Sequence, residues 1–455
     1  MAFLRVATLA ACLLSVSMSA YSQDLFENAN TGDSVASKSP VSSPDFTIGG
    51  YIRGGLYGGR ADKDDAEMKA GNGLLSLKLS AQKTGIAKAF ADIRMEAGSL
   101  NGKMVNAIDV REAWVQTSIG TWDLKVGQQI VVWGRADGIN PTNNITPINP
   151  LALSSETDDQ RLGNILLQSS FGWNQFRLEG IWVPVFKPDI LPFDAVTLPG
   201  GIAIDTPSYP RDAAKNGSYA LRLNADLAQV DGSISYYNGY VTMPSFDYSL
   251  DATGVHLIPA AYRIHAIGGD FSTTLGSYGI RGEAAFKQTV DDYKSALYLP
   301  NPNLEYVVGV DKSIGDFSLL LQYAGNYIFD FEKQNAPVLT DPNDSTAVMV
   351  YGRAMVDYQM IHLTRLLLQQ SDEVTHSITA RVGWTTMHET LKLDLSGVYN
   401  FTTKEYVVRP TITYDITDAV TVCVGAQKID GPDESIYGLE SNLLSNVFAE
   451  LKLSF

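Results

Sequence analysis

A strict alternation of apolar and polar residues constrains this chain most, and it is clearest in the last eleven residues, SNVFAELKLSF. The apolar residues of one face are Val447, Ala449, Leu451, Leu453 and Phe455. Glu450 and Lys452 fall on the other face. Because successive side chains of a strand point to opposite sides, this pattern predicts a half-buried β-strand that ends on an aromatic residue.

The same period recurs along the chain, for example in LKLDLSGVYNF, SITARVGW and FRLEGIW. Short turns such as QKTG and VDG alternate with long polar loops near residues 135–160, 186–215 and 331–373. This asymmetry is typical of outer-membrane barrels, which have short periplasmic turns and longer external loops. The sequence therefore predicts an all-β fold, a transmembrane antiparallel outer-membrane β-barrel of about 18 strands over residues 45–455.

Two aspects of this prediction stay open. The strand count ranges from about 16 to 20, since the 331–373 stretch could form two strands, a helix, or neither. After the first 22 residues no segment reaches the roughly 18 apolar residues of a spanning helix, whereas a closed barrel satisfies its backbone between strands. A secreted soluble β-protein, with the same aromatic residues in its core, is the alternative.

The N-terminus predicts export across the inner membrane. Residues 1–22 combine one positive charge at Arg5, an apolar run and a small-residue exit, which is typical of a secretory signal peptide. A lipidated Cys12 is the alternative. Residues 23–44 are polar and predict a flexible periplasmic segment. Cleavage after residue 22 would leave Cys423 as the only cysteine and exclude an intrachain disulfide.

Composition argues against several functions. The formal charge of −16 disfavours nucleic-acid binding, and no Cys/His spacing typical of a zinc site is present. The five histidines are scattered and form no recognisable catalytic spacing, so we expect no enzyme, although a hydrolase could assemble its site across strands. No cofactor motif and no metal site are expected.

One segment, KVGQQIVVWGRADGINPTNNITP, carries the motif V-G-x-Q-x-x-x-W-G. Its matching residues are Val126, Gly127, Gln129, Trp133 and Gly134. The segment resembles an uncharacterised family of bacterial outer-membrane, porin-like β-barrels, distantly similar to alginate-export porins. The resemblance implies a barrel in the outer membrane of a Gram-negative-type envelope and a transport role, without naming a substrate.

The strand phase predicts a basic inner wall. Its expected lumen-facing cations include Arg53, Arg94, Lys125, Arg177, Arg222, Arg281, Arg381 and Arg409. Rings of positive side chains favour anionic solutes by focusing the electrostatic potential. Alternatively, these cations only pair with neighbouring carboxylates across a wetted wall.

The motif also predicts a constriction. The strand is expected to continue to Trp133, so that Arg135 and Asp137 arrive at the outer rim. Three prolines within residues 141–150 lack an N–H and keep the chain extended, so this loop can fold back over the lumen. We expect Trp133, Arg135 and Asp137 to form part of a pore constriction, with an external surface loop as the alternative.

The leading functional hypothesis is a porin-like channel for passive passage of small polar or anionic solutes. A carrier of hydrophobic molecules or lipids that works with a periplasmic partner, and a surface adhesin, are the alternatives. Expected partners are small solutes, outer-membrane lipid and the barrel-insertion machinery, and a homo-oligomer stays open. That machinery would read an assembly signal formed by Val447, Leu451, Leu453 and Phe455.

Overall fold

The alternating segments pair edge to edge and close into a barrel of eighteen strands. The computed structural model describes residues 45–60, 66–100, 102–150, 152–191, 201–211, 213–433 and 435–455. The expected signal peptide, Cys12 and the expected periplasmic segment 23–44 lie outside these ranges. The predicted class and strand count are confirmed.

Twenty-one strands lie in the described residues. In chain order they are β1 (Asp45–Arg60), β2 (Ala66–Lys83), β3 (Ala87–Leu100), β4 (Lys103–Ile119), β5 (Trp122–Gln129), β6 (Asn164–Trp173), β7 (Phe176–Val183), β8 (Ile202–Ile204), β9 (Ser218–Asp226), β10 (Val230–Tyr240), β11 (Ser245–Asp251), β12 (Gly254–Ala260), β13 (Arg263–Leu275), β14 (Tyr278–Thr289), β15 (Asn303–Ile314), β16 (Phe317–Ile328), β17 (Val374–Thr386), β18 (Leu391–Asn400), β19 (Tyr406–Thr417), β20 (Val420–Asp430) and β21 (Asn446–Ser454). All but β8, β11 and β12 belong to the barrel.

Successive barrel strands pair antiparallel, and β1 pairs with β21 to close the ring. Two hydrogen bonds of 3.0 Å between the backbones of Gly50 and Phe455 fasten the end of this last seam. Closure leaves the barrel sheet without a free edge, which is the condition for burying strands in hydrocarbon.

The connections follow the predicted asymmetry. Short turns of two to four residues join strands at one end, as at residues 84–86 and 315–316. At the other end lie the long connections 130–163, 184–217, 241–262 and 329–373. The predicted loop 186–215 contains β8 and a short helix, α1 (Ala213–Asn216).

Apolar side chains cover the outside of the barrel. In β21, Val447 is 61% exposed and Leu451 53% exposed, whereas the intervening Glu450 is buried. Phe455, at the short-turn end, is 57% exposed. Exposed apolar rows on a closed barrel are the surface that a lipid bilayer covers.

A cap of non-barrel elements lies at the long-loop end. Two further helices, α2 (Ser345–Leu367) and α3 (Ile436–Leu444), pack with the three-stranded sheet of β8, β11 and β12. The shared core joins Phe246 and Leu257 of the sheet, Met360 of α2 and Val407 of β19. Residues 331–373 therefore supply a helix, one of the three open alternatives. None of the helices in the described ranges is long and apolar enough to cross a membrane.

Candidate functional site

The described residues of the stretch 130–163, namely 130–150 and 152–163, occupy the lumen, and we call this stretch the inserted segment. Sheet pairing ends where Gln129 meets Asn164, so the prediction of a strand reaching Trp133 is wrong. The physical reason is that a side chain replaces the neighbouring strand as hydrogen-bond partner of the backbone. Val131 N donates to the Thr146 hydroxyl at 2.9 Å, and that hydroxyl donates to the Val131 carbonyl at 2.6 Å. The segment thus satisfies its own polar groups and leaves the wall.

The motif residues fix the root of the inserted segment. Trp133 is 2% exposed, packs beside Ile145, and donates from Nε1 to Glu179 at 2.9 Å. Gly134 has a φ of +104°, and a Cβ there would lie 2.4 Å from a Glu283 carboxylate oxygen. Gln129 is fully buried and donates to the Leu166 carbonyl at 3.1 Å. The motif therefore directs the chain from the wall into the lumen.

Glu283 of β14 binds the first half of the inserted segment. One carboxylate oxygen accepts from Thr142 N at 2.7 Å and from the Thr142 hydroxyl at 2.8 Å. The other accepts from Arg135 N at 3.1 Å and Ala136 N at 3.4 Å. One buried carboxylate therefore serves four donors of the segment.

Two ion pairs hold the same half to the same wall. Arg135 Nε donates to Asp270 at 2.7 Å, and Arg222 binds the other oxygen of Asp270 at 2.9 Å. Asp137 accepts from Arg281 at 2.6 Å. Burial raises the pKa of Asp137 to about 6, although Arg281 opposes the shift. The carboxylates of β13 and β14 and the cations around them thus anchor both predicted constriction charges.

The second half of the inserted segment is acidic and binds the opposite wall. Asp158 and Asp159 lie in a 3-10 turn, Thr157–Gln160. Arg94 donates to Asp159 at 2.7 Å, Arg53 also binds Asp159, and Arg111 donates to Asp158 at 2.5 Å. Burial alone would raise the pKa of Asp159, but Arg53 and Arg94 hold it well below its usual range.

The two attachment walls face each other across the barrel. In the ring of eighteen strands, β14 lies nine strands from β2, which is half the circumference. The segment therefore spans the lumen as a bridge, with Glu283 and Asp270 at one end and Arg53, Arg94 and Arg111 at the other. Such a bridge narrows any path along the barrel axis.

The remaining predicted cations have different surroundings. Arg409 of β19 donates to the carbonyls of Ser154 and Ser155 at 3.0 and 3.1 Å. Arg381 pairs with Asp394 at 2.6 Å, and Lys125 lies 4.0 Å from the centre of the Trp114 ring. Arg177 is exposed near the short-turn end of β7. Their effect on solute selection stays a prediction.

A cavity of about 180 Å³ with both polar and apolar lining lies beside the inserted segment, between it, the wall from β13 to β18 and the end of α2. Its polar lining includes Asn140, Asn144, Lys287, Asn303, Glu305 and Asn326. Lys287 and Glu305 pair at 2.8 Å, so the polar part of the lining presents mainly amides. Amides both donate and accept, which suits uncharged polar groups.

Sequence reasoning missed Arg111 and the acidic turn. Arg111 lies at a register shift, where Asp92 pairs with Glu112 but Ile93 pairs with Val110. The extra residue is a β-bulge, which reverses the phase of the strand. The signal for the turn was the run ETDDQR in a loop facing a basic wall. Within the described part of the chain, no group of His, Cys, Asp or Glu side chains could hold a metal ion.

Comparisons with known proteins agree with this architecture. A family model described as "Protein of unknown function (DUF1302)" matches residues 89–449. No curated protein matches the chain. Several solved outer-membrane barrels are similar in fold, at identities of 8 to 11%.

Three of these structures show the extent of the likeness. OpdK from Pseudomonas aeruginosa has a TM-score of 0.53 at 8% identity, covering 90% of this chain and 98% of that chain. OccAB3 from Acinetobacter baumannii has a TM-score of 0.52 at 11% identity, and the match covers 90% of this chain and 99% of that chain. OccK2 (OpdF) from Pseudomonas aeruginosa, in complex with glucuronate, has a TM-score of 0.51 at 10% identity. The match covers 90% of this chain and 97% of that chain.

Proposed function

This chain belongs to the DUF1302 family, and we propose that it is an outer-membrane channel for passive passage of small polar solutes. The inserted segment carries this proposal. It bridges opposite walls of the lumen through Glu283 at one end and Asp159 at the other. A bridge held by a few specific contacts narrows a wide barrel to a selective path, which is the arrangement a diffusion channel requires.

The outer membrane is the proposed location. The barrel exposes apolar rows such as Val447 and Leu451, which in water would be a large unfavourable surface. The aromatic rings of Trp122, Phe171 and Trp173 stack in succession near the short-turn end, with centroids 4.8 and 5.6 Å apart. Such a girdle is typical of the membrane interface. The barrel-insertion machinery and outer-membrane lipid remain the proposed partners.

Small polar solutes fit the cavity better than strongly charged ones. The amide-rich lining beside the inserted segment offers donors and acceptors without a large unpaired charge. Most of the predicted lumen cations are paired with carboxylates, for example Arg94 with Asp159 and Arg281 with Asp137. We therefore propose a weak anion preference at most. OccK2, which shares the fold, is described with the anionic sugar glucuronate, so anionic solutes stay within the proposal.

Deletion of residues 139–148 tests the channel. This change removes the Thr142 contacts to Glu283 and the lining contributed by Asn140 and Asn144. We expect single-channel conductance in planar bilayers to rise severalfold while the barrel still shows heat-modifiable migration. The control is a deletion of the same length, residues 332–341, which belong neither to the barrel wall nor to the inserted segment. This deletion should leave conductance unchanged. Equal conductance of the two folded variants would contradict the assignment of the constriction.

A further inference from the structure

The seam between β19 and β20 has a gap in its ladder. The register pairs Val408 with Lys428 and Thr411 with Gly425, but Arg409 and Pro410 form no pair with β20. Proline has no N–H to donate, so it weakens a ladder wherever it lies within one. This gap lies in the half of the wall near the long loops, which faces the outer leaflet in the proposed orientation.

An apolar groove of about 1210 Å³ lies on the outside of this seam. Small residues line it and leave the space open, among them Gly58, Pro410, Ala426 and Ala449. Larger apolar residues border it, namely Leu56, Met68, Val408, Val424 and Val447. Its apolar lining suits the hydrocarbon chain of an amphiphile, since contact between apolar surfaces is favourable.

A second, small cavity lies on the inner side of the same wall. It is lined by Arg409 and by Leu153 and Ser154 of the inserted segment. The two spaces share Gln427, Asn446 and Phe448 as lining residues, so the thickness of the strands and these side chains separates them. Gly425 lets the Phe448 ring lie between the two spaces, because a Cβ at residue 425 would come within 2.5 Å of that ring.

Arg409 places a positive charge at the inner cavity. Its guanidinium donates to two backbone carbonyls and lies 5.3 Å from the Phe448 ring centre. Among the described residues no carboxylate lies within 4.0 Å of it, in contrast to Arg53, Arg94, Arg222 and Arg281. Glu450 of β21 also acts on this guanidinium, but its carboxylate already accepts from Tyr57 and Ser155, and the direct partners of Arg409 are neutral. A buried cation whose direct partners are neutral attracts a further anionic group.

We propose that this seam is a lateral portal that binds an anionic single-chain amphiphile, with its hydrocarbon chain in the outer groove and its head group at Arg409. Seating the head group requires Phe448 and the 153–155 end of the inserted segment to move aside. The hydrocarbon chain lies outside the solute path along the barrel axis, and only the head group meets the end of the inserted segment.

The test measures saturable binding of 11-(dansylamino)undecanoic acid and of its methyl ester to the full chain in nanodiscs, by dansyl emission. We expect the acid to bind about tenfold more tightly than the ester. Gly58→Phe should place a ring in the groove and abolish binding of both probes. The barrel should accept this change, because a Cβ at residue 58 has only ordinary contacts at 3.6 and 3.7 Å. Gly54→Phe, on the same strand with nothing within 4 Å, is the matched control and should bind normally.

A second variant tests the seam itself. Val408→Cys with Lys428→Cys, in a Cys423→Ser background, places two thiols on directly paired residues. The oxidised form should bind the acid and the ester equally, because the head group no longer reaches Arg409, and reduction should restore the preference. Equal binding of acid and ester to the wild type, normal binding by Gly58→Phe, or an acid preference that survives oxidation would overturn the portal. Channel conductance, unchanged in Gly58→Phe, reports on the proposed solute path independently.

Discussion

Replacing Glu283 with glutamine should release the first half of the inserted segment from its wall. Each carboxylate oxygen of Glu283 accepts two hydrogen bonds, from Thr142 on one side and from Arg135 and Ala136 on the other. Glutamine keeps one carbonyl oxygen, but its NH2 group must then face two donors, either Arg135 N and Ala136 N or the N–H and hydroxyl of Thr142. Losing two hydrogen bonds to a buried charged acceptor costs about 3 kcal/mol in all.

That free energy corresponds to about a hundredfold change in an opening equilibrium. Amide hydrogen exchange in residues 135–142 should therefore accelerate by about two orders of magnitude in the folded barrel, and single-channel records should show more frequent substates. Glu305→Gln is the matched control, because Glu305 lies on the adjacent strand and pairs with Lys287 at 2.8 Å instead of the segment. Unchanged exchange in residues 135–142, or an equal acceleration in the control, would refute the role of Glu283 as the anchor.

Two further predictions concern assembly and pH. Phe455→Ala should lower the amount of heat-modifiable barrel in the outer membrane, because it removes an exposed aromatic from the final strand end; Phe46→Ala, also exposed at that end, should have less effect. Burial raises the pKa of Asp189, which accepts from Ile148 N at 2.8 Å, to about 7, so the folded chain keeps a proton that the unfolded chain loses near pH 4. The melting temperature should therefore fall between about pH 4 and 7, and Asp189→Asn should reduce that dependence and leave the part due to Asp137, which lies below about pH 6.

The barrel was predictable because its signal is local. Alternation in β21 or in the stretch around Arg381 follows from the period of a strand, and each turn is marked within a few residues. The helix α2 was not predictable, since the run around Met360 contacts its partners Phe246 and Leu257 only through the tertiary fold.

The candidate site was predictable only in part. The prolines indicated a loop that folds back over the lumen, and Trp133, Arg135 and Asp137 were named for it. Their partners Asp270 and Arg281 are more than a hundred residues away in sequence, and no short-range pattern encodes such a pairing. Arg111 was not predicted, and it lies at a single bulge, which reverses inside and outside for one stretch of strand.

The acidic turn of the inserted segment also has a consequence for how the molecule assembles. Glu156 pairs with Arg53 of β1 at 3.6 Å and with Lys452 of β21, and Ser155 N donates to Glu450 of β21 at 2.8 Å. The two contacts to β21 join residues 295 and 296 positions apart. Together with the contact to Arg53 they form only when the first and last strands meet. The turn therefore holds β1 and β21 together from the inside of the barrel. Its bound position forms only after these two strands have paired with each other.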